Sequence, residues 1–88
     1  MNKIQNEIML IAQEECAEVT QAISKVFRFG LDTVHKDKSN REHLEEEIGD
    51  LLCMIDLIYI HGIVDGDKVE TARSNKLMKL KQWSNLRV

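Results

Sequence analysis

The chain has 88 residues, 43% apolar and 31% charged, with a formal net charge of −3. That balance fits one folded domain over residues 1–88 and excludes a disordered tail; the lack of Pro, with only four Gly, disfavours a many-stranded β fold. No apolar run reaches the roughly 18 residues of a membrane span, and residues 1–7 lack the apolar stretch of a signal peptide, so a cytoplasmic location and no membrane partner are expected. Residues 1–66 carry 13 acids and 6 bases, whereas residues 67–88 carry 2 acids and 6 bases. This basic surplus is too small for a nucleic-acid footprint, and the aromatics are too few for stacking platforms, so no nucleic-acid partner is expected.

Ile4, Ile8, Ile11, Ala12, Val19, Ala22, Ile23 and Val26 recur at three- and four-residue spacing, which predicts an amphipathic helix over about 3–28. Gly30 is a natural C-terminal cap for it. Residues 30–40 show no period and read as a loop. Ser39 or Asn40 can cap the next helix, and Glu42 three residues after Ser39 makes a capping-box pattern. The second helix is predicted over about 41–61, with Gly62 as its cap. Gly62–Asp67 reads as a turn, and Asp67 as the cap of a third helix reaching Leu80 or Gln82. Cys16 and Cys53 fall within helical patterns and are expected to be reduced, buried thiols.

From Leu51 to Ile60 the second helix is apolar around nearly its whole circumference, broken only by Asp56. Such a helix must be buried on every side. Three helices in a chain this short cannot enclose one of their own members. The expected architecture is therefore all-α: a helical hairpin plus a third, C-terminal helix, assembling into a four-helix-bundle-like homo-oligomer, a dimer or a tetramer.

Carboxylates occupy positions where apolar residues belong. At 3.6 residues per turn, Glu15 falls in the middle of the stripe formed by Ile8, Val19, Ala22 and Val26, with Glu18 on its edge. Glu47 falls inside the arc of Leu44, Leu51, Ile55 and Ile58, and Asp50 lies between Met54 and Leu57. Each helix thus turns an i, i+3 acid pair toward its packed side. Two such helices in contact would gather four carboxylates where water is scarce, an arrangement that protonation, paired lysines or divalent cations must relieve. Four carboxylate ligands suit Mg²⁺ or Mn²⁺. Glu42, Glu45 and Glu46 read as a solvated face. His35, His43 and His61 show no metal-ligand spacing and are expected to be surface or packing residues.

Glu14-Glu15-Cys16-Ala17-Glu18 is a Glu-Glu-x-x-Glu motif. Glu47-Ile48-Gly49-Asp50, preceded by Glu45-Glu46 and followed by Leu51-Leu52, is a Glu-x-x-Asp motif. In this order and separation the two resemble the all-α nucleoside triphosphate pyrophosphohydrolases: MazG-like proteins, dimeric dUTPases and phosphoribosyl-ATP pyrophosphohydrolases. Ser24-Lys25-x-x-Arg28-Phe29-Gly30, Asn40 and Lys76-x-x-Lys79-Leu80-x-x-Trp83 resemble the short phage-type MazG-like group. Some members of that group are similar to phage dGTP pyrophosphohydrolases.

The resemblance implies Mg²⁺-dependent hydrolysis of a nucleoside triphosphate, with dGTP or GTP as the first substrate to test, to the monophosphate and pyrophosphate. Mn²⁺ is an expected substitute. The implied metal ligands are Glu15, Glu18, Glu47 and Asp50, with Glu14 nearby to orient or deprotonate water or to make a further metal contact. Lys76 and Lys79 share a face of the third helix, and with Asn75 and Arg28 they are the expected phosphate contacts. Trp83 is expected to pack against an apolar surface, and Asn40 to serve as a cap. Two alternatives stand beside this. Tyr59-x-His61 is similar to a pair in phosphoribosyl-ATP pyrophosphohydrolase, although that enzyme usually has the two adjacent. The other is a noncatalytic oligomerisation or regulatory module of the same fold, which the retention of all four proposed ligands argues against.

Overall fold

The computed structural model describes all 88 residues. Three helices dominate: α1 (Lys3–Phe29), α2 (Asn40–Ile60) and α3 (Gly66–Trp83). Between α1 and α2 lies a minimal hairpin, β1 (Val34–His35) and β2 (Lys38–Ser39). The all-α expectation holds, and so does the placement of the three helices.

Local chemistry sets the boundaries. Asn2 and Gln5 form a reciprocal capping box at the start of α1. Gly30 ends that helix at φ 99°, and its N–H donates to the Val26 carbonyl at 2.9 Å. Ser39 caps α2 with Glu42, which settles the choice between Ser39 and Asn40. Asn40 is instead the first residue of the helix, buried, with its side-chain amide donating to the Gly30 carbonyl at 2.8 Å. α2 closes at His61, followed by Gly62 at φ 67°. The cap of α3 is Asp65, not Asp67: the Asp65 carboxylate accepts from the Asp67 and Lys68 N–H groups. Asp67 then sits in the first turn, where a negative charge complements the helix dipole.

Residues 30–40 are not an irregular loop. Val34 pairs with Ser39 and His35 with Lys38, antiparallel, around a two-residue turn at Lys36 and Asp37. Both turn residues have positive φ, 53° and 68°, as this tight connection requires. The backbone N–H groups of Asn40 and Arg41 donate to the carbonyls of Thr33 and Leu31. Ion pairs Arg41–Asp32 (3.0 Å) and Lys38–Glu46 (2.7 Å) strap the hairpin to α2. They hold the Asp32 carboxyl below, and the Lys38 ammonium above, their ordinary ranges, in each case first through the hydrogen bond to the partner.

Asn40 ties the end of α1 to the start of α2, and the Gln5 side chain donates to the His61 carbonyl (3.0 Å), tying the start of α1 to the end of α2. The two helices are therefore antiparallel. Ile8, Ala12 and Met54 form the core between them, with Leu57, Ile58 and Ile63 packed alongside; Ala22 is buried farther along α1. α3 packs along neither helix and has no buried residue. The radius of gyration is 15.8 Å, against about 12 Å for a compact chain of this length. Only four apolar residues are buried, whereas nineteen large apolar side chains are exposed, among them Leu52, Ile60, Met78 and Trp83. Both cysteines are free but exposed, contrary to expectation, because two helices cover only one stripe of each other. Trp83 likewise finds no apolar surface within its own chain and is 79% exposed. No helix is long and apolar enough to cross a membrane.

Candidate functional site

The apolar stripe of α1 runs Ile8, Ala12, Val19, Ala22, Val26, all buried or half-buried, and Glu15 lies half-buried within it. On α2 the matching stripe is Leu44, Leu51, Met54, Ile55 and Ile58, with Glu47 inside it, its side chain only 14% exposed. Asp50 stands exposed at the edge of that stripe. The antiparallel pairing brings the acids together: one carboxylate oxygen from each of Glu15, Glu47 and Asp50 lies within 4.8 Å of the others.

Glu18 and Glu14 do not join this group. Both are exposed, because they flank the stripe and do not lie within it. Their charges still reach the centre. The Glu15 carboxyl is held above the ordinary carboxylate range, first by loss of water, then by repulsion from Asp50, Glu47, Glu18 and Glu14 in that order. No lysine or arginine forms an ion pair with Glu15, Glu47 or Asp50; the basic side chains pair instead with Glu46, Asp32 and Glu70. Of the ways to relieve packed acids, internal lysine pairing is thus not used.

His43 is in direct contact with the cluster. Its Nε2 is 3.3 Å from Glu47 Oε1, and its side chain is 28% exposed. Its half-buried position fits the expected surface or packing residue. The available signal was its position four residues before Glu47, which puts both on one face of α2. An acceptor set made only of carboxylate oxygens within 4.8 Å of one another fits a hard divalent cation. An imidazole within hydrogen-bond reach of one ligand suits the role of orienting that ligand.

The expected phosphate contacts are more scattered. Asn75, Lys76 and Lys79 are exposed on α3 and take no part in the acid cluster. Arg28 lies at the closed end of the α1–α2 pair, with its guanidinium carbon 4.9 Å from the centre of the Phe29 ring. Near it, between the end of α1, the hairpin and the start of α2, is a cleft of about 510 Å³ walled by Lys25, Phe29, His35, Lys36, Lys38 and His43, with Asn40 at its base. The amino-acid sequence does not announce this cleft, because the hairpin that forms its wall turns at Lys36-Asp37 and carries no Asn-Gly signal.

The family model of the MazG nucleotide pyrophosphohydrolase domain matches residues 4–81. Searches of curated proteins and of solved structures returned no match. The family match runs from the first turn of α1 into the last turn of α3 and includes both acidic motifs. The chain therefore belongs to the MazG nucleotide pyrophosphohydrolase domain family.

Proposed function

We propose that this protein hydrolyses a nucleoside triphosphate between its α- and β-phosphates, releasing the nucleoside monophosphate and pyrophosphate. Family membership supports nucleotide pyrophosphohydrolase activity in general. The observation that carries the reading to this chain is the convergence of Glu15, Glu47 and Asp50 without a lysine or arginine among them. Mg²⁺ is the proposed cation, with Mn²⁺ able to replace it. Glu15, Glu47 and Asp50 would hold it, and Glu18, one turn from Glu15, would complete the set. When bound, the ion neutralises phosphate charge and acidifies water. The chain supplies the rest. Glu14, exposed and next to Glu15, is the candidate to orient a water molecule and accept its proton. His43 fixes the Glu47 carboxylate. Arg28, Asn75, Lys76 and Lys79 are the proposed phosphate contacts, countering charge that develops on the departing pyrophosphate. The substrate proposed for the first trial is dGTP or GTP.

The active form is proposed to be a homo-oligomer. A buried core of four apolar side chains is too small to hold an 88-residue chain by itself, and nineteen large apolar side chains remain exposed. α3 stands off from α1 and α2, so Lys76 and Lys79 would reach a triphosphate at the acids when a second copy brings its α3 there. The experiment is a panel of nucleoside triphosphates and phosphoribosyl-ATP incubated with Mg²⁺, with pyrophosphate release measured. Turnover of a purine deoxynucleoside triphosphate supports the proposal. Turnover of phosphoribosyl-ATP alone would move the assignment to the histidine-pathway reaction, and no release from any member would refute it.

A further inference from the structure

We infer that Asn40 is a positioning residue for the acid cluster: its amide holds the end of α1 on the first turn of α2, and so fixes the register at which Glu15 meets Glu47 and Asp50. This rests on the metal-site reading above and deepens it. α2 has two buried residues, Asn40 and Met54. Asn40, Glu47 and Met54 follow one another at two-turn steps, so all three lie on one face of the helix. Glu47 stands midway between the two buried points, about 10 Å along the axis from each. The alignment of Glu47 with α1 is therefore set from both sides.

The two points differ in kind. Met54 packs with Ile8 and Ala12, and Leu57, Ile58 and Ile63 back that contact. The Gln5 amide adds a further tie at that end, to the His61 carbonyl. Loss of one of these contacts leaves the others in place. Toward the hairpin there is less to share the load. Arg41 pairs with Asp32 and Lys38 with Glu46, which joins the connecting segment to α2 and not to α1. The backbone N–H groups of Asn40 and Arg41 also donate to that segment, at Thr33 and Leu31. The Thr33 hydroxyl donates to the Phe29 carbonyl, but that contact is exposed and again starts from the segment. From α2 itself, the side-chain hydrogen bond that reaches the end of α1 is the one from the Asn40 amide to the Gly30 carbonyl.

Local structure does not call for asparagine here. Ser39 already caps α2 together with Glu42, and asparagine past the cap is a poor helix former. A buried amide needs a partner, and this one finds it on the neighbouring helix end and not in its own turn. What strains the register is the cluster itself. Glu15, Glu47 and Asp50 bring like charges within 4.8 Å of one another, and their repulsion pushes α1 from α2 until a cation neutralises it. A tie at a residue only 7% exposed resists that push better than the exposed ion pairs of the connecting segment do.

The test is calorimetric titration of Mn²⁺ into the intact protein and into Asn40→Leu, Asn40→Asp and Gln5→Ala, at a temperature where circular dichroism shows the helices intact. Leu keeps the size without the donor. Asp keeps the shape, and its charge alone would tighten cation binding, so a loss there is not electrostatic. Both Asn40 substitutions should weaken Mn²⁺ at least about tenfold, as loss of outer support around a metal does. Gln5→Ala should keep the intact affinity. A merely structural role would lower the urea midpoint and leave the affinity of the folded protein unmoved. Full Mn²⁺ affinity in either Asn40 variant overturns the proposal. So does an equal loss in Gln5→Ala, or loss of helix in both Asn40 variants, which would make Asn40 a residue of the fold and not of the site. If the intact protein binds no Mn²⁺, the metal-site reading falls and this role with it; if the intact protein binds and the Asn40 variants bind as well, the role alone falls.

Discussion

α1 and α2 form a pair that satisfies itself along one stripe; α3 packs along neither of them and has no fully buried residue. The first two helices share a core of Ile8, Ala12 and Met54 and are pinned at both ends by Asn40 and Gln5. α3 buries no residue and carries Leu77, Met78 and Trp83 in the open. The acids sit on the pair; the lysines expected to serve the phosphates, Lys76 and Lys79, sit on the arm. The difference teaches that one chain by itself gathers Glu15, Glu47 and Asp50, while its third helix is left without apolar cover; the proposed second copy would supply that cover.

The sharpest way to break this division is Glu47→Gln. It removes a charge from the pair without changing shape, so pyrophosphate release should fall more than about a hundredfold, with the oligomer intact by sedimentation. Retained turnover would remove Glu47 from the ligand set. Next in size is Met54→Ala. Truncating a core side chain should cost about 2–5 kcal/mol in urea unfolding. For comparison, Met78→Ala on a free arm would stay within about 0.5 kcal/mol. A larger cost at Met78 that deepens on dilution would show α3 covered by a partner.

Lys79→Ala should have a smaller effect, weakening triphosphate binding several-fold more than monophosphate binding. Equal loss for both ligands would remove it from the phosphate site. The smallest effect concerns pH. Glu15 has its carboxyl raised in the folded state, so folding favours its protonated form. Metal-free protein should therefore lose stability as pH rises from the unfolded value near 4.5 through the raised folded value, and regain it on acidification. Glu15→Gln should flatten that slope in urea titrations run across the acid range. An unchanged slope would show that Glu15 is not strained by its neighbours.

Much of this was legible in the sequence because helical period is a geometric signal. Glu15 between Ala12 and Val19, and Glu47 between Leu44 and Leu51, could be placed on packed faces by counting alone. The hairpin escaped notice because its turn is Lys36-Asp37, not the Asn-Gly that normally announces positive φ at two successive residues. With the hairpin hidden, the cleft was hidden too. His43 is half-buried against the carboxylate one turn on, as a packing residue is expected to be; no spacing among the histidines announces its contact with Glu47. Glu18 was placed with the ligands by its motif, yet its edge position leaves it outside the converging trio. Amphipathic pattern likewise states that a face is apolar but not which chain covers it, so neither the detachment of α3 nor the exposure of Cys16 and Cys53 could be read from it.

The central claim is that packed carboxylates on α1 and α2 persist because a divalent cation joins them. Calorimetric titration of Mg²⁺ into the metal-free protein at neutral pH, repeated with Glu15→Gln and Glu47→Gln, tests it most directly. The account predicts saturable binding that each substitution weakens at least about tenfold. No binding, or one affinity shared by all three proteins, would contradict it.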